Sequence, residues 1–298
     1  MSERKDQEEK AALLRNKKLA TVKQSVQLQN VDFVITFVDI SDKHLLREYA
    51  RSVEGLSTGD GDRYLHNFWE VNAQDRRWEQ FHVTPDETCH YDGLQKLVFW
   101  EEGRGSLSQS DKARIQGNHA WGKRGILISK MNKLKCCLHF GVKHDKMAAV
   151  IVPQNPKHYA AIWTFCSSSE FHDSVRIVTQ KVDAATASLV RVPFDLEHWQ
   201  KIADEKYPNG LPEPHTQDPT QWIFKGEISS NLDPLQVAVA RMLGYRWPEQ
   251  PKEKDKIDAL ADEDGIVCIP AVRTEKPGAE RLLDVLRAAY SSEWSDTV

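Results

Sequence analysis

Apolar and polar positions divide the chain into a sheet-rich middle with helices after it. Val31 to Ile40, VDFVITFVDI, is a β-branched and aromatic run, the pattern of a strand. In DKHLLREYARSV, which follows, Leu45, Leu46 and Tyr49 share one face of a predicted short helix. Gly55 to Val71, GLSTGDGDRYLHNFWEV, opens as a loop and ends as an aromatic strand entering a core. KLVFWEE, RGILISKM, CCLHFGV and MAAVIVP are further strand patterns, with a turn at Lys143 to Lys146.

Helices dominate from there on. PKHYAAIWTF turns Tyr159, Ile162 and Trp163 inward, and Ser167 and Glu170 have the S-x-x-E spacing of a capping box that starts a second helix. ASLVRVPF predicts a strand closed by Pro193. Asp195 caps LEHWQKIADEKY, which turns Leu196, Trp199 and Ile202 inward and ends at Pro208-Asn209-Gly210. Beyond a Pro-rich loop, Asp233-Pro234 opens the helix LQVAVARML, which Gly244 stops. GIVCIPAV reads as a short strand and GAERLLDVLRAAY as a last amphipathic helix. The fold class is α+β: a mixed, sheet-rich domain backed by helices, with a smaller helical tail. The predicted divisions are a connecting segment at 1–50, the main domain at 51–207 and the tail at 208–298. Trp163, Phe165, Phe171, Val192 and Phe194 are expected in the core.

Composition narrows the class. At 298 residues, 40% hydrophobic and with nine Trp, the chain can bury one large core or two modest ones. No apolar run reaches the ~18 to 20 residues of a membrane span, and the charged start MSERKDQEEKAALLRNKK lacks a signal core, so a cytoplasmic location is expected. Five cysteines, an odd number with no C-x-x-C, argue against a disulfide framework and a zinc site. The net charge of −4 hides an asymmetry: Gly103 to Lys146 holds ten Lys/Arg against two Asp, while the rest has 30 Lys/Arg against 42 Asp/Glu. A basic block in an acidic chain is either a polyanion-binding face or a lysine-rich solvated surface.

Catalytic patterns are weak. A nucleotide-type cofactor loop needs a Gly-rich turn between strand and helix, and GDGD (Gly59 to Asp62) and GRG (Gly103 to Gly105) do not fit that setting. There is no P-loop and no Pro-Pro turn of the kind that holds the amine of a flipped base. His139 and His144 lack neighbours at metal-ligand spacing and read as core or surface residues. Asp39 reads as a helix cap rather than a lone nuclease carboxylate. No catalytic, cofactor-binding or metal residue is assigned to this chain; binding is the better class of function.

The segment Gly55 to Val71 resembles the signature G-[LI]-x-T-G-[DN]-N-x-[RK]-F-x-R-x-[WF]-x-E-V. That signature opens the TaqI-like C-terminal specificity region of adenine-specific DNA methyltransferases, including fused type IIG restriction–modification enzymes and the methylases of BREX and DISARM phage defence. Gly55, Thr58, Gly59, Asp60, Arg63, Phe68, Trp69 and Glu70 match in order; Gly61, Tyr64 and the pair His66-Asn67 depart. AWGKRGILISKM, the SSSEFHDSV helix, ASLVRVPF and the tail segments DPTQWIFKG and PLQVAVARMLGYRWPEQ extend the likeness over roughly 31–294.

The resemblance implies a DNA target-recognition domain whose partners are double-stranded DNA and a catalytic methyltransferase half or subunit. S-adenosylmethionine and adenine N6 methylation belong to that complete assembly, with or without a nuclease. Because the family's cofactor motif and Asn-Pro-Pro-Tyr motif lie upstream, the chain is expected to be a truncated, split or separately encoded specificity part. The expected DNA-binding residues are Arg104, Arg114, Lys123, Arg124, Lys130 and Lys133, followed by Ser57, Thr58 and Lys181, because specificity regions grip phosphates with Lys/Arg and read base edges from loops. The competing reading is a protein-interaction subunit that docks through its Trp-rich tail.

Overall fold

The structure is a computed structural model that describes residues 7–16, 21–28, 43–71, 75–247, 250 and 255–295. The strand expected at Val31 to Ile40, with Asp39, lies outside the described residues. Helices α1 (Gln7–Asn16) and α2 (Gln24–Gln27) precede the body of the protein. The fold is α+β, with two four-stranded sheets.

The first sheet has the order β1 (Ala50–Glu54), β8 (Ala148–Pro153), β5 (Gly125–Ser129), β6 (Cys136–His139), every pair antiparallel. All five residues of β5 are buried because both faces of the sheet are covered, which explains a nearly continuous apolar run instead of alternation. On one face Ile126, Ile128, Leu138 and Ile151 join Trp163, Phe165, Phe171 and Trp199 of α4 (Tyr159–Cys166), α5 (Ser169–Val178) and α6 (Leu196–Lys206). On the other, Leu127, Cys137, Val150 and Val152 pack with Ala120. Trp163, Phe165, Phe171, Val192 and Phe194 are all buried in the helical-side core, as the pattern predicts.

The second sheet has the order β2 (Leu65–Asn67), β4 (Lys96–Phe99), β3 (Trp78–His82), β7 (Lys143–His144), with β3 and β7 parallel. A one-turn helix, α3 (Gly61–Tyr64), leads into β2. The tail helices α7 (Pro234–Met242) and α8 (Gly278–Tyr290) share a core with Phe68 and Leu97 of this sheet region, so the tail packs on the main body across the expected boundary at 208.

Several local expectations need correction. The helix predicted over DKHLLREYARSV is one 3-10 turn, Leu46–Glu48, followed by β1, which β8 recruits into the sheet from 100 residues away. Residues 143–146 are not only a turn: Lys143 and His144 cross to the second sheet as β7. The helix start falls on Ser168, whose hydroxyl accepts from Phe171 N, one residue after the expected cap. ASLVRVPF is a 3-10 turn over Thr186–Val190, and only an isolated bridge joins Pro193 to Leu45; a proline without an N–H cannot sustain a ladder. GIVCIPAV forms no strand. Asp195 does cap α6, accepting from His198 N at 3.0 Å.

Candidate nucleic-acid interface

The signature segment ties the two sheets together. Just past β1, Leu56 N donates to His144 O at 2.7 Å and Leu56 O accepts from Lys146 N at 3.0 Å. Ser57 and Arg114 exchange backbone bonds of 3.1 and 2.8 Å. Gly55 is demanded by this approach: a Cβ there would sit 2.2 Å from Asp145 O. Gly59 has φ +72°, and a Cβ there would lie 2.5 Å from Lys112 O. Asp60 caps α3, Tyr64 is buried beside Leu56, and Phe68 is buried beside Phe224 and Tyr245. Ser57 and Thr58 are buried, so their part is architectural. The backbone pairing nevertheless brings Lys112, Arg114 and Lys146 around one loop, with their side chains exposed.

The rest of the basic block is less free than its charge count suggests. Arg104 pairs with Glu102, Arg124 with Glu213 at 2.7 Å, Lys130 with Glu54 at 2.9 Å, Lys135 with Glu87 at 3.0 Å and Lys143 with Glu79 at 2.5 Å. Half of the ten cations are thus neutralised, four of them by carboxylates distant in sequence. The expectation that Lys130 meets DNA is corrected: its side chain is 10% exposed and committed to Glu54. Lys143 lies between Trp100 and Trp121, 4.5 and 4.7 Å from the ring centroids, where a desolvated cation is held by the ring faces. Lys112, Arg114, Lys123, Lys133 and Lys146 are exposed and have no ion pair among the described residues.

A groove of about 1140 Å³ runs along the β1–β8 edge of the first sheet. Arg51 and Val53 of β1 and Val152 and Gln154 at the end of β8 form one side; Gln116, Asn118, His119, Lys123 and Arg124 form the other. Of the expected DNA residues, Lys123 and Arg124 meet here. Arg104, Arg114, Lys133 and Lys181 do not line the groove. Arg51, Gln116, Asn118, His119 and Gln154 were not legible in the sequence. The groove therefore combines cations with amide side chains, the two contact types that protein–DNA interfaces use for phosphates and base edges, and its one carboxylate, Glu54, is paired with Lys130. Glu213 holds Arg124 strongly protonated through a direct hydrogen bond.

A second cluster, three histidines and a cysteine, lies at the junction of the sheets. His82 Nε2 donates to Asp92 O at 2.7 Å, so its Nδ1 is free to accept from His139 Nδ1 at 3.0 Å. Cys137 Sγ lies 3.2 Å from the same His82 Nε2 and 3.5 Å from Asp92 O. His144 Nε2 donates to Val53 O at 3.2 Å. These donors do not converge on one point, and among the described residues no group of three His, Cys, Asp or Glu could hold a metal ion. Burial pulls the imidazoles down, His82 to about 3 and His144 to about 4, with His139 also well below its ordinary value. The cluster is a neutral, buried core, so of the core and surface readings of His139 and His144 the structure shows the core one.

Gly59 packs on the Lys112 backbone and Gly103 against Trp100, and among the described residues the only α-helix that follows either glycine closely is the single turn α3. Comparison of the chain with protein-family models and with curated proteins finds no match. Among the described residues, no helix is long and apolar enough to cross a membrane.

Proposed function

We propose that the chain reads double-stranded DNA as the specificity part of an adenine-N6 DNA methyltransferase of a restriction–modification or phage-defence system. Catalysis and S-adenosylmethionine belong to a partner half or subunit, and the assembly works in the cytoplasm. The observation that carries the proposal is the groove: Arg51 and Lys123, both exposed, flank amide and imidazole side chains on a rigid sheet edge. The likeness of Gly55 to Glu70 to the methyltransferase signature supplies the enzyme class.

Arg51→Ala with Lys123→Ala tests the groove. If each cation neutralises one phosphate, the slope of log affinity against log salt becomes shallower by about 2, and binding weakens alike on all sequences. Fluorescence anisotropy on a labelled duplex across a salt series reads both effects. Unchanged affinity and slope would place the DNA elsewhere. The neutralised half of the basic block favours a second reading, a subunit that docks on a catalytic partner without touching DNA. The tail's exposed Leu232, Ile266 and Ile269 suit that role, and such an interface would show little salt dependence.

A further inference from the structure

The segment 117–124 is fixed to the body through Gly117, Ala120, Trp121 and Gly122. Gly117, at φ +93°, lies flat on β1: a Cβ there would meet Glu54 O at 3.0 Å and His144 Cε1 at 3.2 Å. Ala120 is fully buried with Leu127 and Val150. Trp121 packs edge-on against Trp100 at 5.5 Å, with Lys143 above both rings. Gly122 N donates to Gly141 O at 2.7 Å. Between these anchors a 3-10 turn, Asn118–Ala120, pushes two side chains outward.

Those two side chains, Asn118 and His119, are exposed, line the groove and form no side-chain hydrogen bond among the described residues. The other amides of the groove are already engaged: Gln116 Nε2 donates to Gly55 O at 2.8 Å and Gln154 Nε2 to Arg47 O at 3.2 Å. Asn118 alone among them keeps both its donor and its acceptor available. A primary amide offering both matches the N6 donor and N7 acceptor on the major-groove edge of adenine, and no other base offers that pair of groups there. A rigid mount is what base reading requires, since a mobile amide would lose its directional preference to entropy.

Resting on the DNA-binding reading, we infer that Asn118 is a specificity-determining residue that reads an adenine, with His119 contacting the neighbouring position. Arg51 and Lys123 hold the phosphates on either side. The test is selection from a randomised duplex library by the wild-type chain and by Asn118→Ala, Asn118→Asp and His119→Ala, followed by sequencing. Both side chains are exposed, so melting temperatures should match wild type and certify folding. The expected result is a wild-type motif containing an adenine that Asn118→Ala no longer selects, while affinity for unrelated duplex stays within about threefold. Asn118→Asp, an acceptor only, should shift that position toward cytosine, whose N4 is a donor. His119→Ala should relax an adjacent position. If wild type enriches a motif and the Asn118 variants enrich the same one, the assignment is wrong while DNA reading stands. If wild type enriches nothing, the functional proposal fails and the assignment fails with it.

Discussion

Phe171→Ala is expected to destabilise the folded chain by about 3 to 5 kcal/mol, a large fraction of the ~5 to 15 kcal/mol that holds a domain together. Phe171 is 1% exposed and sits in the first turn of α5, where its N–H donates to the Ser168 cap. Its ring meets Phe165 edge-on at 5.4 Å, and Phe165 in turn touches Phe194 at 5.2 Å and Trp199 at 5.3 Å. This aromatic group belongs to the core that covers Ile126, Leu138 and Ile151 of the first sheet. Truncation removes the apolar burial and leaves a cavity that residues fixed on three helices cannot fill. Urea unfolding should show the loss, whereas Asp173→Ala, two positions on and exposed, should change stability by no more than about 0.5 kcal/mol. A melting temperature for Phe171→Ala equal to wild type would contradict the packing described.

Stability should also fall steeply as pH drops from 7 to 5. Burial keeps the imidazoles of His82, His139 and His144 neutral, with folded pKa values below the ordinary 6.5. A proton on His82 would set two N–H donors face to face at 3.0 Å, and one on His139 would fall on Nε2, which is buried without a hydrogen-bond partner. In the unfolded chain the same imidazoles take up protons as pH falls through 6.5, while the folded ones stay neutral down to about 3 for His82 and 4 for His144. The stabilisation is therefore complete above pH 6.5 and is lost progressively below it. All three imidazoles act in the same direction in that window, so together they are a major term. Unfolding free energies at pH 7, 6 and 5 measure it. A flat profile would show that these histidines are not buried neutral.

Much of the architecture was legible because local pattern and tertiary demand agree. β4, β5, β6 and β8 follow their short apolar runs, and α4, α6, α7 and α8 their apolar faces. β3 was not, because WEQFH holds no β-branched residue and forms a strand only between β4 and β7. The site was legible in part. Lys123 and Arg124 stand out in the basic block, but Arg51 sits in a stretch that reads locally as a helix. Arg51 faces the groove only because β1 pairs with residues 100 positions away. Asn118 carries no motif; its significance comes from the anchors around it. The ion pairs that neutralise Arg124, Lys130, Lys135 and Lys143 link residues 48 to 89 positions apart, so a charge count along the chain overstates the free positive surface.

The central claim is that this chain reads DNA sequence, and selection by the purified chain from a randomised duplex library at two salt concentrations tests it most directly. The expected result is a signal that weakens steeply with salt and enriches one short motif. Absence of binding at low salt, or salt-sensitive binding that enriches no motif, would contradict it.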